Sequence, residues 1–403
     1  MKRYGLLGEK LSHSLSPELH KLCGDENYEL FEVEKTKLAE FVKKKDFDGL
    51  NVTVPYKKAV MPLLSKTSEL ARRVGCVNTV VKDEKGKLIG YNTDVYGFAF
   101  LLDFHKIDVF GKTCAILGNG GGAAAVKTVL AERKAAKIET FGRLDTQKAE
   151  KRPGFDVLVN ATPVGMYPNN GETPVDLDLF EGVTTVIDII YNPIKTKLLL
   201  DAEKRGIKAV NGLIMLAAQG KRSRELFDDL EIDDSRIEYA VGKLAEKMQN
   251  IVLIGMPGAG KTSVGRALAE KTGKRFIDLD ETIEKLYGKK PESIIRLHGE
   301  REFRRTERVA AAWAGKFTGA VIATGGGVVT VEENLGSLSQ NGKIVYVKRD
   351  LKKLAVEGRP LSAGKSVEAI FSERKDLYER WKDIEIDNNG SIDETVSEII
   401  KKI

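Results

Sequence analysis

Two glycine-rich turns in this chain each stand between an apolar run and a helical pattern, and each suits a phosphate. In "NIVLIGMPGAGKTSVG" (250–265), Gly255, Gly260, Lys261 and Thr262 fit G-x-x-x-x-G-K-[ST]. The glycines let the backbone curl so that its N–H groups face phosphate oxygens. Lys261 neutralises the β- and γ-phosphates and the Thr262 hydroxyl binds Mg2+. The ATP-binding set is then Gly258, Ala259, Gly260, Lys261, Thr262 and Ser263. In "ILGNGGGAAAV" (116–126), Gly118, Gly120 and Ala123 follow G-x-G-x-x-A, with Asn119, Gly121 and Gly122 completing a dinucleotide-binding turn. A second short strand is expected to end at Arg143 in "IETFGRL". An acid there would bind a ribose 2′-hydroxyl, whereas an arginine favours a 2′-phosphate, hence NADP over NAD.

Carboxylates and a lysine supply the remaining chemistry. "FIDLD" puts Asp278 and Asp280 two apart at an expected strand end, so period-two geometry points both to one face. One would hold the metal's waters and the other would orient an attacking hydroxyl. "NVTVPYK" (51–57) reads as a strand, a proline stop and Lys57, and "GYNTDVYG" (90–97) carries Asp94 among small polar residues. Reducing a ketone needs hydride on the carbon and a proton for the oxygen, which a sheltered Lys57 beside Asp94 would supply. Ser16, before Pro17 and Glu18, suits a helix cap, whereas Ser14 has no such local role. The four histidines, His13, His20, His105 and His298, have no partner pattern and receive no chemistry.

These groups need rigid elements to hold them. Strand-like apolar runs alternate with helical stretches throughout, the pattern of α/β architecture with parallel sheets. With 403 residues the chain is too long for one ordinary core. In residues 233–249, Ile237, Ala240, Val241, Leu244 and Met248 follow helical spacing, and no Gly/Ser/Pro-rich linker intervenes before the strand at 251. The main boundary is therefore expected near 249. A net charge of +6 from interleaved signs suits small anionic ligands and argues against nucleic acid as a partner. Three scattered cysteines, Cys23, Cys76 and Cys114, suit buried reduced thiols. The start lacks a signal-peptide pattern and no run approaches a membrane span, so the cytoplasm is the expected location and no membrane partner is expected.

The rear half resembles shikimate kinase. The P-loop, "FIDLD", "GEREFRRTE" (299–307), "VIATGGGVV" and "SERKDLY" occur in that family's order over 250–403. The resemblance implies a nucleoside-monophosphate-kinase-like P-loop fold that moves the ATP γ-phosphate to the 3-hydroxyl of shikimate. It puts Asp280, Arg304, Gly326, Gly327 and Arg374 on shikimate, with Asp280 accepting the hydroxyl proton. Arg304 and Arg374 would pair with the carboxylate, which matches a guanidinium fork. Arg359 in "EGRPL" would close a lid, and the stretch from Arg359 to Arg374 is shorter than usual in the family.

The front half resembles shikimate dehydrogenase. "SHSLSP", "NVTVPYK", "GCVNT", "GYNTD", "GNGGGAA", "NATPVGM", "DIIYNPIKT" and "NGLIMLAAQG" keep that family's order. The resemblance implies reversible NADP-dependent reduction of 3-dehydroshikimate. Ser14 and Ser16 would hold the carboxylate. Thr53, Asn78, Asp94 and Gln219 would hold the ring hydroxyls, and Lys57 with Asp94 would form the catalytic pair. Tyr191 and Met215 would wall the substrate and nicotinamide, and Thr162 lies in a motif of the NADP site. The family's "NRT" is here "GRL", with Lys148 and Lys151 the nearest further cations, so NADP preference rests chiefly on Arg143 and dual NAD/NADP use stays open.

The expected organisation is a substrate domain over 1–100, completed by helices of about 218–248, a Rossmann NADP domain over 101–217, and a kinase domain over 249–403. The two activities would be consecutive, with NADP(H), ATP and Mg2+ as cofactors and 3-dehydroshikimate and shikimate as substrates. A catalytically silent sensor and a quinate-preferring front half are the alternatives. The sensor is disfavoured because Lys57, Asp94, Lys261 and Asp280 are all present.

Overall fold

A computed structural model describes the chain except residues 1, 12–13, 25–26, 147–149 and 355–365. It divides into two compact units. Unit 1 comprises Met1–Met166, Glu172–Tyr191 and Leu198–Ala245, and unit 2 comprises Tyr167–Gly171, Asn192–Lys197 and Glu246–Ile403.

Unit 1 contains two sheets. The first holds β1 (Tyr4–Gly8), β2 (Tyr28–Glu32), β3 (Gly49–Val52), β4 (Lys66–Thr67), β5 (Thr79–Lys82) and β6 (Leu88–Tyr91), in the order β2-β1-β3-β5-β6-β4. It is mixed: β1 runs parallel to β2 and β3, while β5 is antiparallel to β3 and β6. The second holds β7 (Thr113–Leu117), β8 (Lys137–Phe141), β9 (Val157–Asn160), β10 (Thr185–Asp188) and β11 (Lys208–Val210), all parallel in the order β11-β10-β9-β7-β8. Strand β7 is followed by β8 on one side and β9 on the other, so the order reverses there. Ligands of such sheets bind outside the carboxyl ends at that reversal, where the Gly118 turn leaves β7. The helix Leu213–Asp228 returns from this domain to pack along the helix Asp94–Phe104 and against Ser16–Leu22.

Unit 2 has one parallel sheet of β12 (Asn250–Ile254), β13 (Arg275–Asp278), β14 (Ala320–Ala323), β15 (Gly342–Lys348) and β16 (Ile384–Asp387), in the order β13-β14-β12-β15-β16. All five residues of β12 are buried, as expected of a central parallel strand covered on both faces. Its core joins Ile251–Ile254 with Val264 and Leu268 of the helix Lys261–Thr272 and with Val321, Val345 and Ile386.

The amphipathic helix expected over 233–249 is Ser235–Met248, with Ile237, Ala240, Leu244 and Met248 buried and Val241 half-buried. Three local expectations fail. Strand β8 stops at Phe141, and Arg143 opens a helical turn, Arg143–Thr146. Asp278 and Asp280 do not share a strand: β13 ends at Asp278, which caps the helix Leu279–Tyr287 by accepting from the N–H groups of Asp280 and Glu281. A carboxylate at the end of a strand competes for free helix N–H groups, and the cap wins over period-two geometry. Finally, Ser16 is not the cap of Ser16–Leu22. It is the first helical residue, and its N–H donates to Ser14 Oγ at 3.1 Å. Leu15 stands at the N-cap without a side-chain bond, and Ser14, one residue earlier, accepts from the first helical N–H.

Candidate active sites

In unit 1, β3 ends at Val52, and a turn with a cis Val54–Pro55 bond leads into the short helix Tyr56–Ala59, which carries Lys57. Asp94 begins the helix Asp94–Phe104, a position where unpaired first-turn N–H groups favour a carboxylate. The two side chains meet: Lys57 Nζ donates to Asp94 Oδ2 at 2.6 Å, with 20% and 8% of the side chains exposed. Asn78, just before β5, donates from Nδ2 to Asp94 Oδ1 at 2.9 Å and to Thr93 Oγ1 at 3.0 Å, while its Oδ1 accepts from Thr93 N at 2.7 Å. Gln219 Oε1 lies 3.3 Å from Thr93 Oγ1 and 3.5 Å from Asn78 Nδ2. Four predicted residues, Lys57, Asn78, Asp94 and Gln219, thus form one cluster.

Behind the cluster runs a buried polar chain that motif reading missed. Thr93 and Thr79 share Ser223 Oγ, Asn51 Nδ2 donates to Ser223 Oγ at 2.7 Å, and Tyr28 donates to Asn51 Oδ1 at 2.7 Å. Tyr28 stacks on His20 at 3.8 Å between ring centroids. His20 is fully enclosed, and desolvation pushes its imidazole down to about 3, so it stays neutral. These hydroxyls and amides carried no sequence signal, because their partners lie up to 172 residues away.

The dinucleotide turn faces this cluster. A Cβ at Gly121 would lie 3.3 Å from Lys57 Cδ and 3.2 Å from Cys76 Sγ, so the turn packs on the lysine's stem. Gly118 adopts φ +105°, a conformation open to glycine, and the helix Gly121–Glu132 starts just beyond Gly120. A side chain at Gly120 would meet nothing within 4 Å, which leaves room for a pyrophosphate at the helix start. Gly122 packs on Ile189, and Ala123 is buried. Thr162 sits beside the turn: its Cγ2 would be 3.1 Å from a Cβ at Gly118, and its hydroxyl donates to Asn160 Oδ1 at 2.7 Å. Met215 is buried, with its carbonyl against Gly97. Tyr191 is half-buried, and burial raises its phenol above the usual value. Arg143 is exposed, and Asp145 Oδ2 accepts from the neighbouring Gly142 N–H at 3.0 Å. Lys148 lies outside the described residues, and Lys151 pairs with Glu181. Among the described residues, no hydrogen bond joins Ser14, Ser16, Thr53 or Tyr191 to the Lys57–Asp94 cluster.

In unit 2 a cavity of about 470 Å³ opens at the carboxyl end of β12. Gly255, Gly258 and Gly260 all have positive φ, and Gly260 stands immediately before the helix Lys261–Thr272. Lys261 is 7% exposed and donates to the Gly255 and Met256 carbonyls, both at 2.9 Å. Thr262 Oγ1 donates to Asp278 Oδ2 at 2.9 Å. The carboxylate of Asp280 borders the cavity. Burial, and then the charges of Asp278 and Glu307, raise it to about 6. Such a carboxyl is a competent proton acceptor near neutral pH. Arg304 donates to Glu307 Oε2 at 2.6 Å and to Glu300 Oε1 at 3.2 Å. Arg374 is 8% exposed on the helix Val367–Trp381 and lines the same cavity, as do Gly326 and Gly327. Tyr378, one turn from Arg374, donates to the Gly326 carbonyl at 2.5 Å and so pins the glycine run. The expected lid residue Arg359 lies outside the described residues.

Glu307 is the residue of this site that motif reading undervalued. It is 1% exposed, and one oxygen holds Arg304 while Oε1 has no partner and lies 2.8 Å from where a Cβ at Gly325 would be. Its spacing of three from Arg304 on a helix was the available signal. Arg349, also on the cavity wall, carried none.

A lysine–carboxylate pair packed on a dinucleotide turn defines a nucleotide-dependent oxidoreductase, and a P-loop facing a carboxylate, the buried Arg374 and the half-buried Arg304 defines a phosphotransferase. A family model described as "Shikimate dehydrogenase substrate binding domain" matches residues 6–80, and one described as "Shikimate kinase" matches 257–403. A shikimate dehydrogenase (NADP(+)) of Clostridium perfringens (strain SM101 / Type A) is 39% identical over 263 residues, which are 59% of this chain and 96% of that protein. The relative of that name from Geobacillus kaustophilus (strain HTA426) is 35% identical over 270 residues, 60% of this chain and 97% of its own. Among solved structures, a chorismate mutase/shikimate 5-dehydrogenase fusion protein from Clostridium acetobutylicum aligns with TM-score 0.56 and 38% identity, covering 61% of this chain and 98% of that one. A Thermus thermophilus shikimate 5-dehydrogenase in complex with NADP(H) and shikimate aligns with TM-score 0.55 and 32% identity over 60% and 99%. The chain belongs to the shikimate dehydrogenase family and carries a shikimate kinase domain behind the dehydrogenase part; it is an enzyme of the shikimate pathway.

Proposed function

We propose that this chain catalyses two consecutive reactions: NADPH-dependent reduction of 3-dehydroshikimate to shikimate, and ATP-dependent phosphorylation of shikimate to shikimate 3-phosphate. The observation that carries the reading is the Lys57 side chain, whose stem lies on Gly121 of the dinucleotide turn while its ammonium bonds Asp94. The carbon to be reduced and the oxygen to be protonated would then lie between the nicotinamide and one acid–base pair. When bound, the dinucleotide supplies the hydride, and ATP with Mg2+ supplies the phosphoryl group.

The residues present fit these groups. Gly120 leaves space at a helix start for pyrophosphate. The Thr262 hydroxyl and Asp278 carboxylate are hard oxygen donors 2.9 Å apart, suited to a Mg2+ that takes its other ligands from phosphates and water. In reduction, Lys57 delivers the proton to the nascent alkoxide, and Asp94, held by Asn78, keeps the ammonium aimed. Thr53, Asn78, Asp94 and Gln219 position the ring hydroxyls, with Ser14 and Ser16 on the carboxylate and Tyr191 and Met215 as walls. In the kinase part, Asp280 takes the proton of the attacking hydroxyl, Arg304 and Arg374 fix the carboxylate, and Gly326 and Gly327 give backbone access. Arg143 and Thr162 serve the NADP side. We assign 1–100 with 218–248 to the substrate domain, 101–217 to the nucleotide domain and 249–403 to the kinase domain, in the cytoplasm. The relatives named shikimate dehydrogenase (NADP(+)) and the kinase family match support this reading.

The test is purified protein with 3-dehydroshikimate, NADPH, ATP and Mg2+, following nucleotide oxidation and shikimate 3-phosphate together. Both signals are expected. Oxidation without phosphorylated product, or no oxidation with 3-dehydroshikimate while quinate is oxidised in a separate run with NADP+, would overturn the assignment. A parallel run with NADH measures how strictly Arg143 selects the 2′-phosphate.

A further inference from the structure

We infer that Arg349 is a nucleotide-phosphate-binding residue of the kinase site, an inference that rests on the kinase reading above. Strand β15 lies next to β12 in parallel register, with Tyr346 opposite Ile254, so Arg349 emerges at the edge where β12 runs into the glycine loop. The guanidinium reaches that loop: a Cβ at Gly260 would be 3.7 Å from Arg349 Nη1. Arg349 borders the same cavity as Lys261, Thr262 and Asp280.

One nitrogen of the guanidinium lacks a partner among the described residues. Its Nε is buried without a hydrogen-bond partner, and no described residue forms an ion pair with it. The adjacent Asp350 carboxylate instead accepts from Lys352 N–H. A buried N–H without a partner is costly, and an arriving phosphate oxygen relieves that cost with a charge-assisted hydrogen bond. The other cavity cations are differently engaged: Arg304 is held by Glu307 and Glu300, Lys261 donates to two loop carbonyls, and Arg374 shares a hydrogen bond with Tyr378.

Topology selects the nucleotide over the acceptor. Asp280 follows β13 and Gly325–Gly327 follow β14, both on one side of β12, whereas Arg349 follows β15 on the other. The loop wall on that side is braced by Asn388, whose Nδ2 donates to the Ala259 carbonyl at 2.7 Å. Arg349 therefore meets the phosphate chain at the start of the helix Lys261–Thr272, opposite the acceptor acid.

The experiment is steady-state kinetics of the full chain carrying Arg349→Ala or Arg349→Lys, with inorganic tripolyphosphate as the competing probe. Arg349→Ala should raise KM for ATP and the inhibition constant of tripolyphosphate by about ten- to a hundredfold, the value of a lost charge-assisted bond. The KM for shikimate and the dehydrogenase kcat/KM should stay at wild-type values, and Arg349→Lys should recover part of the loss. An unchanged KM for ATP, or an equal rise in KM for shikimate, overturns the proposal. Weaker ATP with unaltered tripolyphosphate inhibition also overturns it, because the arginine would then serve the nucleoside. Absence of any phosphorylated product from the wild-type chain would instead refute the kinase reading itself.

Discussion

Gly97→Ala tests whether helix contact, rather than the motif residues alone, sets the dehydrogenase site. Gly97 lies on the helix Asp94–Phe104 against the helix Leu213–Asp228, and its added Cβ would sit 2.6 Å from the Met215 carbonyl oxygen and 3.0 Å from Gln219 Cβ. Ordinary contact begins at 3.4 Å, so the obstacle, a backbone atom, must retreat by about 0.8 Å. Gln219 is one turn beyond Met215 and moves with it. Its contacts to Thr93 and Asn78, already 3.3 and 3.5 Å, would open beyond hydrogen-bond range. Overpacking of this kind costs about 1–3 kcal/mol, and a misplacement near 1 Å lowers rate by about a hundredfold. The assay is dehydrogenase kcat/KM, with kinase activity of the same protein as internal control. Gly242→Ala is the matched control: it lies in the helix Ser235–Met248 with nothing within 4 Å of its Cβ, and should stabilise by about 0.4–1 kcal/mol. Dehydrogenase kcat/KM of Gly97→Ala within twofold of wild type would refute the reasoning. A parallel fall in kinase activity would show general destabilisation and refute it equally.

Three further outcomes are expected. Lys57→Ala should abolish reduction and leave phosphorylation intact, and Lys261→Ala the reverse; loss of both activities from either change in a folded protein would refute two independent sites. Kinase kcat/KM should fall about tenfold per pH unit below about 6, because Asp280 is raised to about 6 and must be deprotonated to accept the hydroxyl proton; a flat profile down to pH 5 would remove it as the base. His20 is lowered to about 3 in the folded state against an ordinary 6.5, so below pH 6.5 the unfolded chain takes up the proton first and stability falls as pH drops. The loss should approach about 1.4 kcal/mol per pH unit, and His20→Phe should flatten it in melting curves followed by dehydrogenase activity.

Local grammar carried much of this protein. The turns at Gly118 and Gly255–Gly260 were legible because positive φ and close approach to phosphate demand glycine, and the demand is met within a dozen residues. The helix Ser235–Met248 was legible because its buried stripe repeats at the helical period. The amino-acid order also named Lys57, Asp94, Asp280 and Arg304 as chemical groups. It misplaced the local boundaries at Asp278, Ser16 and Arg143, where a strand end or helix start hung on which nearby groups take up the free N–H groups. Only the tertiary structure decided that Lys57 touches both Asp94 and Gly121, that Ser223 and Asn51 back the cluster, and that the Arg349 guanidinium reaches Gly260 with its Nε unpartnered among the described residues. Local hydrogen bonding and periodicity act between near neighbours and leave a readable pattern. A contact across 172 residues is set by how sheets and helices pack, which no short stretch encodes.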